Sequence, residues 1–414
     1  MLKHGQNINR LYANEKFFAS YRKRFAMNLL FKPAIAFFSS YLVLSFSTPS
    51  NHETRIEISK KIKISPKIQA AILLDVSNSM DGLIEQAKAQ LWTMVNVMGK
   101  AKCNGETPQI EIALYEYGRD NNDLRKGYVK QITPFTSDLD DLSQKLFQLS
   151  TNGGQEYCGY VIHTSLNELN WDTTSSNYKV IFISGNEDFL QGNISYTLAC
   201  TEAKKKGVIV NTIYCGDRLQ GIKEHWNLLG ECGNGSFTNI NSDAKPEDIP
   251  TPYDSTLITL NYKLNGTYIY YGAAGQQKQA MQATADANNS SINGYVGANR
   301  VAAKAQKSTY YNYSWDLVDA KDADKKVLEK IDFKTLPDSL QKKNKAELEA
   351  IIDQKSNERG GIQKEIQEIN KKREAFIAEE KIKKAKAGNN SQTLESEVER
   401  IIREQATRFN MKIE

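Results

Sequence analysis

Ile68-Gln69-Ala70-Ala71-Ile72-Leu73-Leu74-Asp75-Val76-Ser77-Asn78-Ser79 is the stretch that decides the fold. Its first seven residues are an apolar run that reads as a buried strand. Asp75 to Ser79 turn the chain, and apolar positions at helical spacing begin just after Gly82. One carboxylate and two hydroxyls are thereby brought to the carboxyl end of a strand, where open α/β sheets bind ligands. Such an all-oxygen donor set suits a hard divalent cation such as Mg2+ or Mn2+. Read alone, Asp and Ser are also ordinary helix N-caps, and the segment would then do no more than start a helix.

Working outward, the alternation continues to about Asn241. Ile68–Leu74, Ile110–Tyr117, Val180–Ser184 and Val208–Tyr214 read as strands. Between them, Leu83–Met98, Leu139–Leu149 and Val161–Leu169 carry apolar residues at helical spacing. Gly235–Ile240 reads as a final edge strand. Strands alternating with helices predict βαβ units and a doubly wound, mainly parallel sheet over residues 67–241. That length is ample for a core of its own.

A second segment, Ser150-Thr151-Asn152-Gly153-Gly154-Gln155-Glu156, follows a predicted helix, with Thr151 lying 72 residues beyond Ser79. Together the two segments resemble the metal-ion-dependent adhesion site of von Willebrand factor type A domains. The resemblance covers residues 67–241 and implies a Rossmann-like fold. It implies that Ser77, Ser79 and Thr151 ligate the ion, that Asp75 ligates it or holds its water, and that Gly153 and Gly154 let the backbone approach it. The family's third element is an aspartate in a Thr-Asp-Gly turn after a strand. Here Ser184-Gly185-Asn186-Glu187 follows the strand, so glycine stands at the aspartate position and Glu187 or Asp188 is left to reach in. The expected ion is Mg2+, with Mn2+ and Ca2+ as alternatives, and the expected partner is a protein offering an acidic side chain. The implied role is binding without catalysis.

Two other classes compete: a scaffold whose site has decayed, and a metal-assisted hydrolase with Glu156 or Glu187 as base. The latter lacks a G-x-S-x-G elbow, a phosphate-binding glycine loop and evident His–Asp partners for Ser77.

The net charge of +5 is misleading. Residues 1–47 carry seven basic side chains against Glu15, so the rest of the chain is slightly acidic. That argues against nucleic-acid binding, which needs a basic face on the folded domain. Arg22-Lys23-Arg24, the apolar stretch Ala34–Phe46 and the small residues Ser45 and Ser47 read as a signal peptide or an N-terminal membrane anchor. The predicted location is therefore exported: periplasm, envelope or outside. The five cysteines, Cys103, Cys158, Cys200, Cys215 and Cys232, fit an oxidising compartment. The alternation puts Cys158 and Cys215 at the ligand edge and the other three at the opposite edge. It thus allows a Cys158–Cys215 bridge and disfavours Cys158–Cys200.

The remaining expectations concern organisation. Residues 48–66 are a short linker, and 242–256, with Pro246, Pro250 and Pro252, are a second one. Within 257–315, Asn265-Gly266 between Leu257–Leu264 and Thr267–Tyr271 predicts a β-hairpin, followed by a helical stretch. Residues 316–414 hold 22 Lys/Arg and 21 Asp/Glu in 99 positions, a charged helical tail. Ile362, Ile366, Ile369 and Phe376 suggest a short coiled-coil-like seam broken at Arg373, through which the tail could self-associate. Gly360-Gly361 is expected to bend the helix or divide it in two.

Overall fold

The computed structural model describes residues 65–246, 248–386 and 393–413. The leader and its cleavage or anchoring segment lie outside the described residues. Among those described, no helix is long and apolar enough to cross a membrane. The described residues belong to one compact unit.

Its centre is a six-stranded sheet of β1 Lys67–Asp75, β3 Gln109–Tyr117, β4 Lys130–Thr136, β5 Tyr178–Gly185, β6 Ile209–Cys215 and β7 Phe237–Ile240. The order is β4-β3-β1-β5-β6-β7, all parallel except the antiparallel edge strand β4. From β1 the chain steps outward to β3 and β4, then crosses back to β5 on the other flank. The winding therefore reverses between β1 and β5, and the ends of these two strands bracket the switch-point crevice. Every residue of β5 is buried, as expected of a parallel strand covered on both faces.

The first face of the sheet is covered by α1 Asp81–Gly99 and α2 Leu139–Phe147, packed on Ile68, Ala70, Leu74, Phe182 and Ile213. The second face is covered by α3 Cys158–Glu168, α4 Tyr196–Lys206, α5 Arg218–Lys223 and α6 Trp226–Cys232, packed on Leu73, Tyr115, Ile183 and Val210. The predicted doubly wound domain is present.

The cysteine pairing differs from expectation. Cys200 bonds Cys232, joining α4 to α6, while Cys158 and Cys215 are buried free thiols. Cys158 belongs to the core of the second face and Cys215 to that of the first. Both sit at the ligand edge, but the sheet itself lies between them.

The predicted hairpin is replaced by α7, Asp254–Asn265. Leu257, Leu260, Asn261 and Leu264 are its buried residues, one face of a helix. Gly266, the expected type I′ turn residue, has φ −66° and simply ends that helix. Periodicity over three turns outweighs a dipeptide signal. The next helices are α8 Gly275–Ile292, α9 Gly294–Lys304, α10 Leu317–Ala323 and the short α11 Asp338–Gln341.

The longest helix of the charged tail is α12, Lys345–Lys386, 42 residues without a break at Gly360-Gly361. Both glycines face solvent, and a Cβ on either would touch nothing. Its buried stripe is Leu348, Ile352, Arg359, Ile362, Ile366, Arg373 and Ile377. This stripe packs on α7, α9 and α10 of the same chain, so the seam is consumed internally. Arg373 is part of it rather than a break: its guanidinium donates to Asp254 Oδ1 (2.8 Å), Asn299 Oδ1 (2.8 Å) and the Tyr295 carbonyl (3.0 Å).

The rest of the tail returns to the sheet. In α13, Leu394–Ala406, the side chains of Leu394, Val398, Ile401 and Ile402 complete the core of the first face beside α1. Burial of each such side chain stabilises by about 1.5–3 kcal/mol. Gln405 clasps Asn211 of β6 and accepts from the Tyr178 hydroxyl of β5. A final strand β8, Met411–Ile413, pairs antiparallel with β2, Ala101–Cys103.

Candidate metal site

Four loops meet at the crevice between β1 and β5. Asn152 donates its N–H to the Val76 carbonyl (2.8 Å), and Asp120 donates to Gly153 (2.7 Å). The loops of residues 75–79, 118–120 and 150–156 are thus tied by backbone bonds, and Gly185-Asn186 closes the fourth side. Gly154 serves this closure, since a Cβ there would collide with the Gly118 carbonyl oxygen. Its glycine is explained by a neighbouring strand end and not by an ion.

Asp75 is fully buried. Its Oδ1 accepts the Ser77 N–H (2.8 Å), while its Oδ2 has no partner. A buried, unpaired carboxylate oxygen is costly. Burial pushes the Asp75 carboxyl up to about 7, partly offset by the Ser77 backbone and side chain and the Asn186 backbone, and reinforced by the charge of Glu187. Ser77 Oγ lies 3.4 Å from Ser79 Oγ, and the Asn186 amide donates to Ser79 (3.2 Å). The expected Asp75, Ser77 and Ser79 are therefore brought together.

Thr151 reaches the same edge, but its hydroxyl donates to Asp81 Oδ1, at the start of α1. Glu187 is exposed, and its carbonyl accepts the Trp226 indole N–H (2.7 Å). It acts on the site through charge, raising both Asp75 and Glu156. Asp188 turns away toward His225 Nδ1, 3.0 Å.

Glu156 is only 5% exposed. Burial, then the charges of Asp75 and Glu187, push its carboxyl up to about 8, while the Ser77 side chain as hydrogen-bond partner lowers it. From the sequence, Glu156 enters only as a candidate base of the competing hydrolase reading. The signal for it was its place two residues before α3, in the loop that also carries Thr151. Asp81 and Asn186 were not singled out.

Among the described residues, no group of three or more His, Cys, Asp or Glu side chains is gathered to hold a metal. A cation here would depend on hydroxyls as much as carboxylates. The residues do fit a hard dication. All donors are oxygen, one buried carboxylate oxygen lacks a hydrogen-bond partner, and two carboxyls are held above their ordinary range with no ion pair to either among the described residues.

No protein-family model and no curated protein matches the chain. Solved structures do. Proximal thread matrix protein 1 from the mussel byssus, with a zinc-occupied MIDAS motif, is 12% identical over 42% of this chain and 42% of its own length, TM-score 0.32. The SpRpn10 VWA domain is 14% identical over 42% of this chain and 88% of its own, TM-score 0.32. An aerotolerance-related membrane protein from Bacteroides fragilis is 16% identical over 42% and 93%, TM-score 0.31. Likeness at this level transfers no activity, and the assignment rests on topology and edge chemistry. With the β4-β3-β1-β5-β6-β7 order and Asp75-x-Ser77-x-Ser79 at the switch point, the chain carries a domain of the von Willebrand factor type A fold.

Proposed function

We propose that this edge is a metal-dependent protein-binding site: Asp75, Ser77, Ser79 and Thr151 would hold a divalent cation, Mg2+ by preference. The ion would supply an open coordination position for an acidic side chain of a partner protein. The observation that carries the reading is the buried Asp75 carboxylate, with Oδ2 unpaired among hydroxyls at the switch point. The protein's part is to hold oxygen donors rigidly by the backbone ties among the three loops. We place this activity outside the cytoplasm on the character of residues 1–47, and we assign no catalysis to the site.

A second reading, a scaffold with a silent site, is favoured by Gly185 at the expected aspartate position and by Thr151 bonding Asp81. Thermal unfolding of the full chain separates the two. At about 100 times Kd, a bound cation adds roughly 2.7 kcal/mol to stability. The expected outcome is a rise in Tm on adding Mg2+ or Mn2+ that vanishes in Asp75→Ala. Superimposable curves with metal and with chelator would leave the scaffold.

A further inference from the structure

Gly185 has a physical cause. A Cβ at this position would lie 2.5 Å from the Tyr117 hydroxyl and 3.0 Å from Asp75 Oδ2. Tyr117 is fully buried, and its hydroxyl donates to the Ser184 carbonyl (2.9 Å) at the end of β5. While Tyr117 keeps that place, no side chain fits at residue 185. The Tyr117 phenol and Asp75 itself, whose Cβ would lie 3.1 Å away, take the space that an aspartate side chain there would need.

On the other side of Asp75 the opposite is true. Gly118, the residue after β3, has φ +81°, and a Cβ on it would lie 2.8 Å from Asp75 Oδ1 and 3.0 Å from Glu156 Cγ. The Asp75 carboxylate and the Glu156 side chain therefore converge across the bare face of one glycine. Ser77, whose N–H donates to Asp75 Oδ1 (2.8 Å), lies at the same glycine, with its backbone nitrogen 3.7 Å from that Cβ. The Glu156 backbone is fixed as well, since its carbonyl accepts the Cys158 N–H (3.1 Å) at the start of α3.

We propose that Glu156 supplies the second carboxylate of the cation site, replacing from the opposite loop the aspartate that Tyr117 excludes. This rests on the metal-site reading above and assigns that site a ligand from this chain alone. Two carboxylates, Asp75 and Glu156, balance a dication, with Ser77 beside them. Exposed Glu187 is then left outside the donor set and contributes only long-range charge.

The test is Mn2+ binding to the full chain, followed by the electron spin resonance of free Mn2+. Glu156→Gln keeps the volume and is expected to weaken binding by about tenfold or more. Asp75→Asn should do at least as much, and Glu187→Gln far less. Adding Tyr117→Phe and Gly185→Asp to Glu156→Gln opens the space at β5 and installs a carboxylate there. Recovery of Mn2+ binding in that triple variant is the outcome a purely structural role for Glu156 cannot produce. Near-ultraviolet circular dichroism in chelator confirms that each variant is folded. Unchanged affinity in Glu156→Gln, with binding lost in Asp75→Asn, overturns the assignment of Glu156 and leaves the metal site standing. A wild-type chain that binds no Mn2+ overturns both.

Discussion

Two regions of this molecule bury carboxylates, and they treat them in opposite ways. In the helical region, buried acids are met by buried cations. Asp286 of α8 faces Arg300 and Lys304 of α9; burial alone would raise its carboxyl, but the two cations outweigh it and hold it well below the usual range. Arg300 also makes an ion contact of 2.8 Å with Asp140 of α2, in a geometry that is not a hydrogen bond, and stacks 4.4 Å over Trp92 of α1. Arg359 spans Asp316 (2.6 Å) and Asp319 (2.7 Å) over the ring of Tyr268. One cation for two acids falls short there: burial and Asp316 push Asp319 up to about 6. At the sheet edge, Asp75 and Glu156 rise further, to about 7 and about 8, with hydroxyls and amides around them in place of Lys or Arg. The helical region meets its buried acids with its own cations, whereas at the edge no ion pair to Asp75 or Glu156 is present among the described residues, and on the function proposed above the counter-charge would come from solution.

Breaking the self-neutralised side should have the largest effect. Arg300→Leu leaves Asp140 and Asp286 buried with one cation fewer and is expected to cost about 3–5 kcal/mol. Urea unfolding of the full chain measures it, and a loss under 1 kcal/mol would remove the distinction between the regions.

On the edge the sign is reversed. In chelator, Asp75→Asn should stabilise the chain by about 1–3 kcal/mol at pH 8, because a buried charge is removed and no cation is forfeited. The same argument fixes the pH dependence of the wild type. Asp75 and Glu156 have folded values above their unfolded ones, so the folded state holds extra protons between roughly pH 4 and 8. Their stabilising contribution is complete below the unfolded values and is lost as pH rises toward 7 and 8. Chelated protein should therefore show Tm falling across that window, and saturating Mg2+ should flatten the fall. A Tm insensitive to pH in chelator would mean the edge carboxyls are already compensated.

The smallest effect sharpens the comparison by touching neither site. Gly360 is exposed beside Arg359 on the helix that carries two of the neutralising cations. Gly360→Ala should add up to about 1 kcal/mol of helix stability and leave the Mg2+ response unchanged. Altered metal response would show that the two regions are coupled through α12.

The sheet domain was legible because its signals are local. The apolar run into Asp75, the turn residues and the helical spacing from Leu83 each lie within one element. Gly185 was read correctly as a departure, but its cause, the Tyr117 hydroxyl, comes from a strand 68 residues earlier. Glu156 could be seen only as an acid near a glycine pair, since its approach to Asp75 depends on Gly118 in a third loop. The hairpin failed because Asn265-Gly266 was weighed above the Leu257, Leu260, Leu264 spacing. Arg373 looked like an interruption because a charge reads as solvent-facing until its partners, more than 70 positions away, are known.

The return of α13 to the sheet has a consequence in time. The groove that it fills is walled by Ile72, Leu74, Leu91, Met94, Phe182 and Ile213, all earlier in the chain by at least 180 positions. At ordinary rates of synthesis, on the order of 5–20 residues per second, Ile213, the last of these to be made, precedes Leu394 by roughly 9–36 s. Throughout that interval the sheet presents a bare apolar strip that its own sequence cannot yet cover. Completion must wait for contacts of very long sequence separation, which are slow to form. The first face of the sheet is thus left open in any chain that ends before residue 394.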